Sequence, residues 1–234
     1  MNNRGDVLTQ PNILMIKGWE KVEEHAKNEI ILNSQIVNCE SETLLYLEGQ
    51  EDVSIYIVIK GNAILSKFSE TGEEKILYIF GEGELINELS LDGLKTSNST
   101  RALRDTILLN IKAPDLLKLM VVYPQLNLLV IKSLAKKVRR TQRQALNLGR
   151  LKTGQRIAAK LWKLSRDYGI EDVEGSLIDL NINRTDIAAM VGTSRETVSR
   201  FLTILEKSKV ISCRDNKIII RDKNELLKFV KKQN

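Results

Sequence analysis

The sequence predicts an α+β protein made of an antiparallel β-roll, a long helix and a winged helix-turn-helix. Three observations lead to this class. Short β-rich runs separated by glycine-containing turns fill residues 42–111. An apolar heptad pattern follows Pro124, and residues 183–206 have the layout of two helices joined by a tight turn. We expect the β-roll within residues 1–123, the long helix within 124–150 and the winged helix-turn-helix within 151–234.

The β-rich half consists of closely spaced runs that favour strands. Turn signals such as Lys60-Gly61-Asn62 and Thr71-Gly72 separate the runs. Strands this close together, joined by hairpin turns, favour a small antiparallel barrel or roll over a parallel sheet. The predicted strands are Thr43–Leu47, Ser54–Lys60, Ala63–Phe68, Lys75–Phe80 and Thr106–Ile111.

The helix that follows Pro124 carries two apolar series, each with a spacing of seven. Together the series form the a and d positions of nearly three heptads. The members of this predicted dimer seam are Ile131, Leu134, Val138, Thr141, Ala145 and Leu148. A helix packed on its own domain would show the same pattern. We favour a two-stranded dimer, because the flanking Lys and Arg residues should face water on most sides.

The stretch 183–206 has the features of a helix-turn-helix. A first helix starts near Thr185, small Ala188 permits a close helix crossing, and Gly192 supplies the turn. Thr193 or Ser194 caps the second helix. The inward positions of that helix, at helical spacing, are Val198, Phe201, Leu202 and Leu205. Short strands within 213–221, joined by the turn Arg214-Asp215-Asn216, follow as a two-stranded wing.

The outward face of the second helix carries Arg195, Glu196, Ser199 and Arg200. Arg can donate two hydrogen bonds to guanine O6 and N7, and Glu can accept from cytosine N4. A recognition helix contacts bases mainly through its N-terminal residues, where these four lie. The alternative is a surface helix with incidental charges, but the cap, the turn glycine and the apolar face all agree with a DNA-reading helix. We expect further contacts to the DNA backbone from Thr185, Thr193, Ser194, Thr197 and Lys217.

The charge distribution is consistent with a nucleic-acid partner for the second half alone. Residues 1–123 hold 12 Lys/Arg and 19 Asp/Glu, whereas residues 124–234 hold 24 Lys/Arg and 11 Asp/Glu. From Pro124 to Arg166 there are 12 basic residues and no acidic one. A solvated helix face is the alternative for such a run, and the adjacent helix-turn-helix favours contact with double-stranded DNA.

Several classes of protein are disfavoured by composition. No apolar run reaches the length of about 20 residues that a membrane span needs. The polar N-terminus lacks the layout of a signal peptide. We therefore expect a soluble, cytoplasmic protein with no membrane partner. One His and two Cys make neither a metal site nor a disulfide framework. We find no nucleophile–base pair and no P-loop, and expect no enzyme activity.

The segment Thr-Ser-Arg-Glu-Thr-Val-Ser-Arg at 193–200 resembles the recognition helix of the Crp/Fnr superfamily of bacterial transcription regulators. The resemblance extends over nearly the whole chain: Glu48-Gly49, the segment 56–61, Thr71-Gly72-Glu73 and Gly83-Glu84-Leu85 are similar to the family's cyclic-nucleotide-binding-type β-roll. It implies a homodimer that binds a palindromic operator and contacts RNA polymerase. Arg195, Glu196 and Arg200 would read a TGTGA-like half-site. Ser199 departs from the glycine of the cyclic-AMP-responsive branch and is closer to the Fnr branch.

The resemblance also implies an effector pocket in the β-roll. Its residues here are Glu88, Leu89, Thr96, Ser97 and, from the dimer helix, Thr141. Glu88 matches the family's ribose contact, but the cassette glycine is Asn87 and the phosphate-binding arginine position is Thr96. Loss of the cation opposite a phosphate weakens binding strongly. We expect a small-molecule effector other than cyclic AMP, with cyclic AMP as the alternative, and the cofactor is unknown.

Other sensing modes lack their residues. An Fnr-type iron–sulfur cluster needs several cysteines near the N-terminus, and only Cys39 lies in that half. His25 is the only histidine available to a haem. For Thr141, effector contact and a role in setting helix register remain equal alternatives. A kinase-type regulatory subunit that uses the β-roll alone is a third interpretation, against which the winged helix-turn-helix argues.

Overall fold

The computed structural model describes residues 16–51, 53–215 and 217–231. It confirms the predicted class of an antiparallel β-roll, a long helix and a winged helix-turn-helix. The chain forms two compact units. The first comprises the described residues up to Lys67 with Tyr78–Arg139, and the second comprises Phe68–Leu77 with the described residues from Arg140 onward.

The β-roll follows a short helix, α1 (Glu24–Leu32). The strands are β1 (Ser34–Cys39), β2 (Leu44–Tyr46), β3 (Ser54–Lys60), β4 (Ala63–Phe68), β5 (Glu74–Phe80), β6 (Leu85–Ile86), β7 (Ser99–Ala102) and β8 (Thr106–Lys112). They form two four-stranded sheets with the orders β1-β8-β3-β6 and β2-β7-β4-β5. In the first sheet, β3 pairs antiparallel with β8, from Ser54 opposite Lys112 to Lys60 opposite Ile107.

The strands of the roll carry apolar side chains, and both sheets bury them. Five consecutive residues of β3, from Ser54, are buried. One core cluster gathers Trp19, Ile57 and Leu109, and another gathers Tyr46 and Phe80. The turn from β3 to β4 requires glycine, since Gly61 has φ +92° and a Cβ there would lie 2.6 Å from the Asp105 carbonyl oxygen.

Two helices leave the roll. Helix α2 (Ala113–Val122) has Pro114 in its first turn, where the missing N–H has no intrahelical partner to lose. Helix α3 (Pro124–Arg150) is 27 residues long, which corresponds to about 40 Å. Leu126 and Val130 are buried near its start, and the rest of its surface is partly or fully exposed.

The winged helix-turn-helix begins with α4 (Thr153–Tyr168), which packs against the two helices of the motif, α5 (Arg184–Val191) and α6 (Arg195–Lys207). Buried apolar side chains from all three helices, such as Leu161, Ile187 and Val198, form the core. The remaining elements are β9 (Gly169–Asp172), β10 (Gly175–Ile178), β11 (Ile211–Arg214), β12 (Lys217–Ile220) and α7 (Lys223–Lys231). The four strands form one sheet with the order β11-β12-β10-β9.

Helix α4 begins directly after Lys152. Thr153 is the first helical residue, and Lys152 has the extended backbone of the cap. The Lys152 backbone N–H donates to Gln155 Oε1 over 2.8 Å, which closes the first turn. Strand β9 follows α4 without a connecting loop, and β10 ends at Ile178. The residue Asn216 of the predicted wing turn lies outside the described residues.

Candidate DNA-binding and effector sites

The helix-turn-helix is held by two side-chain caps. Asn183 Oδ1 accepts from the backbone N–H of Thr185 over 2.7 Å and of Asp186 over 3.0 Å. Ser194 Oγ accepts from the backbone N–H of Thr197 over 3.2 Å, so Ser194, and not Thr193, caps the second helix. Gly192 joins the two helices with φ +74°, the left-handed conformation that favours glycine.

Helix α6 separates an apolar face from a polar face. Val198, Leu202 and Leu205 are buried. Phe201, predicted to face inward, is only half-buried and meets the Phe229 ring edge-on at 6.2 Å. The predicted reading residues Arg195, Glu196 and Arg200 are exposed, and Ser199 is half-buried.

The carboxylate of Glu196 is set up to accept hydrogen bonds. Its pKa lies below the usual range, because its own backbone N–H and the Ser194 hydroxyl hydrogen-bond to the carboxylate and because Arg195 and Arg200 add positive charge. An ionised carboxylate accepts and does not donate. Glu196 therefore presents the chemistry that pairs with a cytosine amino group.

The residues predicted to contact the DNA backbone lie at three element starts. Thr185 is in the first turn of α5, and Lys217 begins β12; both are exposed. Ser194 and Thr197 share a hydrogen bond of 3.1 Å between their hydroxyls at the start of α6. Thr193, half-buried, precedes them.

Arg184 was not predicted from the sequence as part of this site. This exposed residue begins α5, and its Nη1 donates to Ser199 Oγ of the recognition helix over 3.3 Å. The sequence held one indication of this role. Arg184 directly follows the cap Asn183, and the start of α5 lies next to the reading helix when α5 and α6 cross closely.

In the β-roll, the predicted effector residue Glu88 is paired within the chain. Its side chain is 1% exposed and forms an ion pair with Lys137 of α3. Ser133 Oγ donates to Glu88 Oε1 over 2.6 Å. Ser133 and Lys137 were not predicted as partners of Glu88, although their polar side chains lie one helical turn apart on α3.

Lys137 is enclosed by apolar groups as well. Its Nζ lies 4.7 Å from the centroid of the Phe80 ring and donates to the Leu85 carbonyl oxygen over 2.9 Å. Burial lowers the pKa of Lys137, and the charge of Glu88 opposes that shift. A buried charge of this kind requires its partner, because an unpaired ion in the same place is costly.

The other predicted pocket residues do not join this pair. Leu89 is 49% exposed. Thr96 is buried and its Oγ1 donates to the Leu47 carbonyl oxygen over 2.6 Å. Ser97 is exposed and accepts from Asn98 Nδ2, and Thr141 is exposed on α3. The effector role of these residues stays a prediction.

Arg101, the first arginine after Thr96 in the sequence, is also paired. Arg101 Nη1 lies 2.7 Å from Glu42 Oε1, in an ion pair whose arginine side chain is 16% exposed. Part of the Arg101 guanidinium is therefore already engaged within the chain.

The predicted seam lies along the exposed side of α3. Ile131 is 59% exposed, Val138 54% and Leu148 51%. Thr141 and Ala145 are exposed too, and Leu134 is half-buried. We call this series the α3 stripe. In a single chain its apolar side chains are exposed to water, and its role as a dimer seam stays a prediction.

Metal-binding clusters, membrane-spanning helices and disulfides are absent within the described residues. Residues 16–51, 53–215 and 217–231 contain no group of three or more His, Cys, Asp or Glu side chains that could hold a metal ion. Within the same ranges no helix has the length and hydropathy needed to cross a membrane. Cys39 and Cys213 are free thiols, and burial raises the pKa of Cys213 to about 11.

Comparison with known proteins matches both halves of the chain. Residues 36–123 match the cyclic nucleotide-binding domain, and residues 155–229 match the Crp-like helix-turn-helix domain. The cAMP-activated global transcriptional regulator CRP of Pasteurella multocida is 30% identical over 77% of this chain and 87% of its own length. The global nitrogen regulator of Nostoc sp. is 28% identical over 77% of this chain and 82% of its own length.

Among solved structures, the c-di-GMP-responsive global regulator CLP of Xanthomonas campestris has a TM-score of 0.77 at 22% identity, over 86% of this chain and all of that chain. At this identity the likeness shows the fold. The curated relatives are transcription regulators and not enzymes. With both domain models matched in order and a relative at 30% identity, the chain belongs to the Crp/Fnr family and is a DNA-binding transcription regulator with an effector-binding domain.

Proposed function

We propose that this regulator binds a palindromic operator as a homodimer and reads a TGTGA-like half-site with each recognition helix. The observation that carries the proposal is the polar face of α6, where Arg195, Glu196 and Arg200 are exposed within two turns of the helix N-terminus. Arg195 and Arg200 offer bidentate donors to guanine, and Glu196 accepts from cytosine. Ser199 contacts the base beside them.

Contacts to phosphates position this helix. Hydroxyls and a lysine at the starts of α5, α6 and β12 supply them in the proposal, namely Thr185, Thr193, Ser194, Thr197 and Lys217. Such contacts fix register without reading sequence. Affinity should therefore fall steeply as salt concentration rises, because bound phosphates release their counterions.

Dimerisation through the α3 stripe matches the palindrome. Pairing two copies would remove Ile131, Val138 and Leu148 from water. A two-fold dimer places its two recognition helices in successive major grooves, about one helical turn apart.

In this scheme an effector shifts the balance between two orientations of the DNA-binding domains, with a hinge near Leu148–Thr153. The dimer then contacts RNA polymerase in the cytoplasm.

We infer that the effector is a small molecule other than cyclic AMP. The carboxylate of Glu88 already accepts from Ser133 and pairs with Lys137. The neutral Thr96 stands at the position of the phosphate-binding arginine, and Arg101 is held by Glu42. Relatives of this fold respond, by their names, to different molecules: cAMP in Pasteurella multocida and c-di-GMP in Xanthomonas campestris.

A cyclic-AMP-responsive regulator is the second candidate, favoured by the buried glutamate Glu88 in the matched cyclic nucleotide-binding domain. Isothermal titration calorimetry with cyclic AMP distinguishes the two. Absence of measurable heat up to millimolar nucleotide supports another effector. A micromolar dissociation constant that is lost in Glu88→Ala supports cyclic AMP.

Selection from a pool of random DNA duplexes tests the operator. We expect an inverted repeat of TGTGA-like half-sites whose centres lie about 10 base pairs apart. Arg195→Ala should lose preference at one guanine of each half-site. Recovery of a single, unrepeated site or of no consensus would contradict the proposal.

A further inference from the structure

The placement of Arg184 at the start of α5 is fixed by the cap that precedes it. Asn183 Oδ1 accepts from the backbone N–H groups of Thr185 and Asp186. In return Asp186 Oδ2 accepts from the Asn183 backbone N–H over 2.8 Å. This reciprocal cap defines the first turn of α5, so the Arg184 side chain leaves the helix from a well-defined point.

From that point the Arg184 guanidinium reaches the polar face of α6. Its Nη1 donates to Ser199 Oγ over 3.3 Å. Arg184 is exposed, and among the residues that the structure describes it forms no ion pair. A guanidinium has five N–H donors in a planar fork, and one of them is used in the hydrogen bond to Ser199.

The hydrogen bond determines what the Ser199 hydroxyl can do. A hydroxyl has one proton to donate and two lone pairs to accept with, whereas arginine only donates. Ser199 Oγ is therefore the acceptor toward Arg184, and its own proton must point elsewhere. A helical serine often donates this proton to the carbonyl oxygen four residues earlier. Within the described part of the chain, the Ser199 hydroxyl donates to no acceptor.

We propose that Arg184 is a positioning residue for base reading: it holds the Ser199 hydroxyl so that its proton points into the major groove. Ser199 then reads a hydrogen-bond acceptor on a base edge, and the remaining Arg184 donors bind an adjacent phosphate. This inference rests on the proposed DNA-reading role of α6. It assigns a specificity: at the base that Ser199 faces, guanine, adenine and thymine offer acceptors, but cytosine offers only its N4 amino donor.

The test is a binding profile. Affinity of the full-length protein is measured for the selected operator and for every single-base variant of its half-site, at fixed salt. For the wild type we expect cytosine to bind about 3- to 10-fold more weakly than the other bases at one position, the value of a single hydrogen bond. Ser199→Ala should abolish this discrimination at that position alone.

Arg184→Ala should abolish the same discrimination and also weaken binding to every sequence, with a smaller dependence on salt because a phosphate contact is lost. The double variant should show no further change at the Ser199 position. Arg184→Lys, which keeps a cationic donor, should restore part of the discrimination. The matched control is Arg166→Ala, because Arg166 is an exposed arginine of α4 that pairs with Asp167. This variant should leave the binding profile unchanged.

If Arg184→Ala discriminates against cytosine as strongly as the wild type does, the inference is overturned and Arg184 is a phosphate contact only. The inference is also overturned if the two substitutions change the binding profile at different base positions and their effects add in the double variant. A wild-type protein with no sequence preference at all would instead contradict the proposed function, so the two failures are distinguishable.

Discussion

At the residue scale, the recognition helix depends on a glycine in a neighbouring helix. A Cβ built on Gly154 would lie 2.6 Å from Cε2 of Phe201. The same ring meets the ring of Phe229 in α7 edge-on at 6.2 Å. We expect Gly154→Ala to displace Phe201 and to lower the free energy of unfolding by about 1–3 kcal/mol, as overpacking does. Urea denaturation followed by circular dichroism measures it.

Gly149 provides the control, because a Cβ there meets nothing within 4 Å. Gly149→Ala should leave stability unchanged or raise it by up to about 1 kcal/mol through helix propensity. Adding Phe201→Leu to Gly154→Ala should recover part of the loss. Equal stability of the two alanine variants would show that the close contact between Gly154 and the ring has no energetic consequence.

A second residue-scale prediction concerns Lys160 of α4. Burial lowers the pKa of Lys160 from 10.5 to about 7; the surrounding charges of Arg140, Lys75 and Lys163 act in the same direction, and Asp167 opposes them. Between pH 7 and 10.5 the unfolded chain holds this proton and the folded chain does not. The free energy of unfolding should therefore rise with pH in this window, by up to about 1.4 kcal/mol per pH unit.

The measurement compares wild type with Lys160→Met in urea at pH 7 and pH 9. The variant lacks the titrating amine, so its stability should exceed that of wild type most at pH 7, and the difference should shrink at pH 9. Parallel pH dependence in the two proteins would show that Lys160 keeps an ordinary pKa.

At the element scale, the cap of α5 is the most direct target. Asn183 is the side chain that satisfies two free N–H groups of this helix. Asn183→Ala should cost about 1 kcal/mol of unfolding free energy. Asn183→Ser, which retains a capping oxygen, should cost only a fraction of that. The same urea titration checks both, and indistinguishable alanine and serine variants would contradict the role of the cap.

The accuracy of prediction from sequence also differs between elements. The bounds of β3 and β4 were predicted to the residue, because their apolar runs end at glycine turns or polar residues. Strand β7, Ser-Thr-Arg-Ala, was missed because its strand character comes from pairing with β2 and β4 and not from apolar residues. Strand β9 was missed for a similar reason, since Gly-Ile-Glu-Asp is ordered by its pairing with β10.

The sites show the same distinction between local and long-range information. The caps, the turn at Gly192 and the reading face of α6 could be predicted, since each depends on residues a few positions apart. The Glu88–Lys137 pair spans 49 residues and the Arg184–Ser199 contact joins two helices. A single sequence suggests candidate partners for such contacts, but it does not identify which of the many possible pairs forms.

At the scale of the whole molecule, the α3 stripe predicts the oligomeric state. Wild-type protein should have twice the 26.6 kDa mass of one chain in light scattering coupled to size exclusion. Val138→Glu places a charge in the proposed seam and should shift the protein to 26.6 kDa and weaken operator binding at least 10-fold. Lys132→Glu, at an exposed position beside the stripe, should stay dimeric. A monomeric wild type would contradict this assembly.

The measurement that tests the account most directly is fluorescence anisotropy on a palindrome of two TGTGA-like half-sites, with and without cyclic AMP at fixed salt. We predict salt-sensitive binding that exceeds binding to a scrambled duplex, is lost in Arg195→Ala and does not change with cyclic AMP. Binding that requires cyclic AMP would contradict the effector assignment at Glu88 and Thr96. Equal binding to palindrome and scrambled DNA in both conditions would contradict the reading of this half-site by α6.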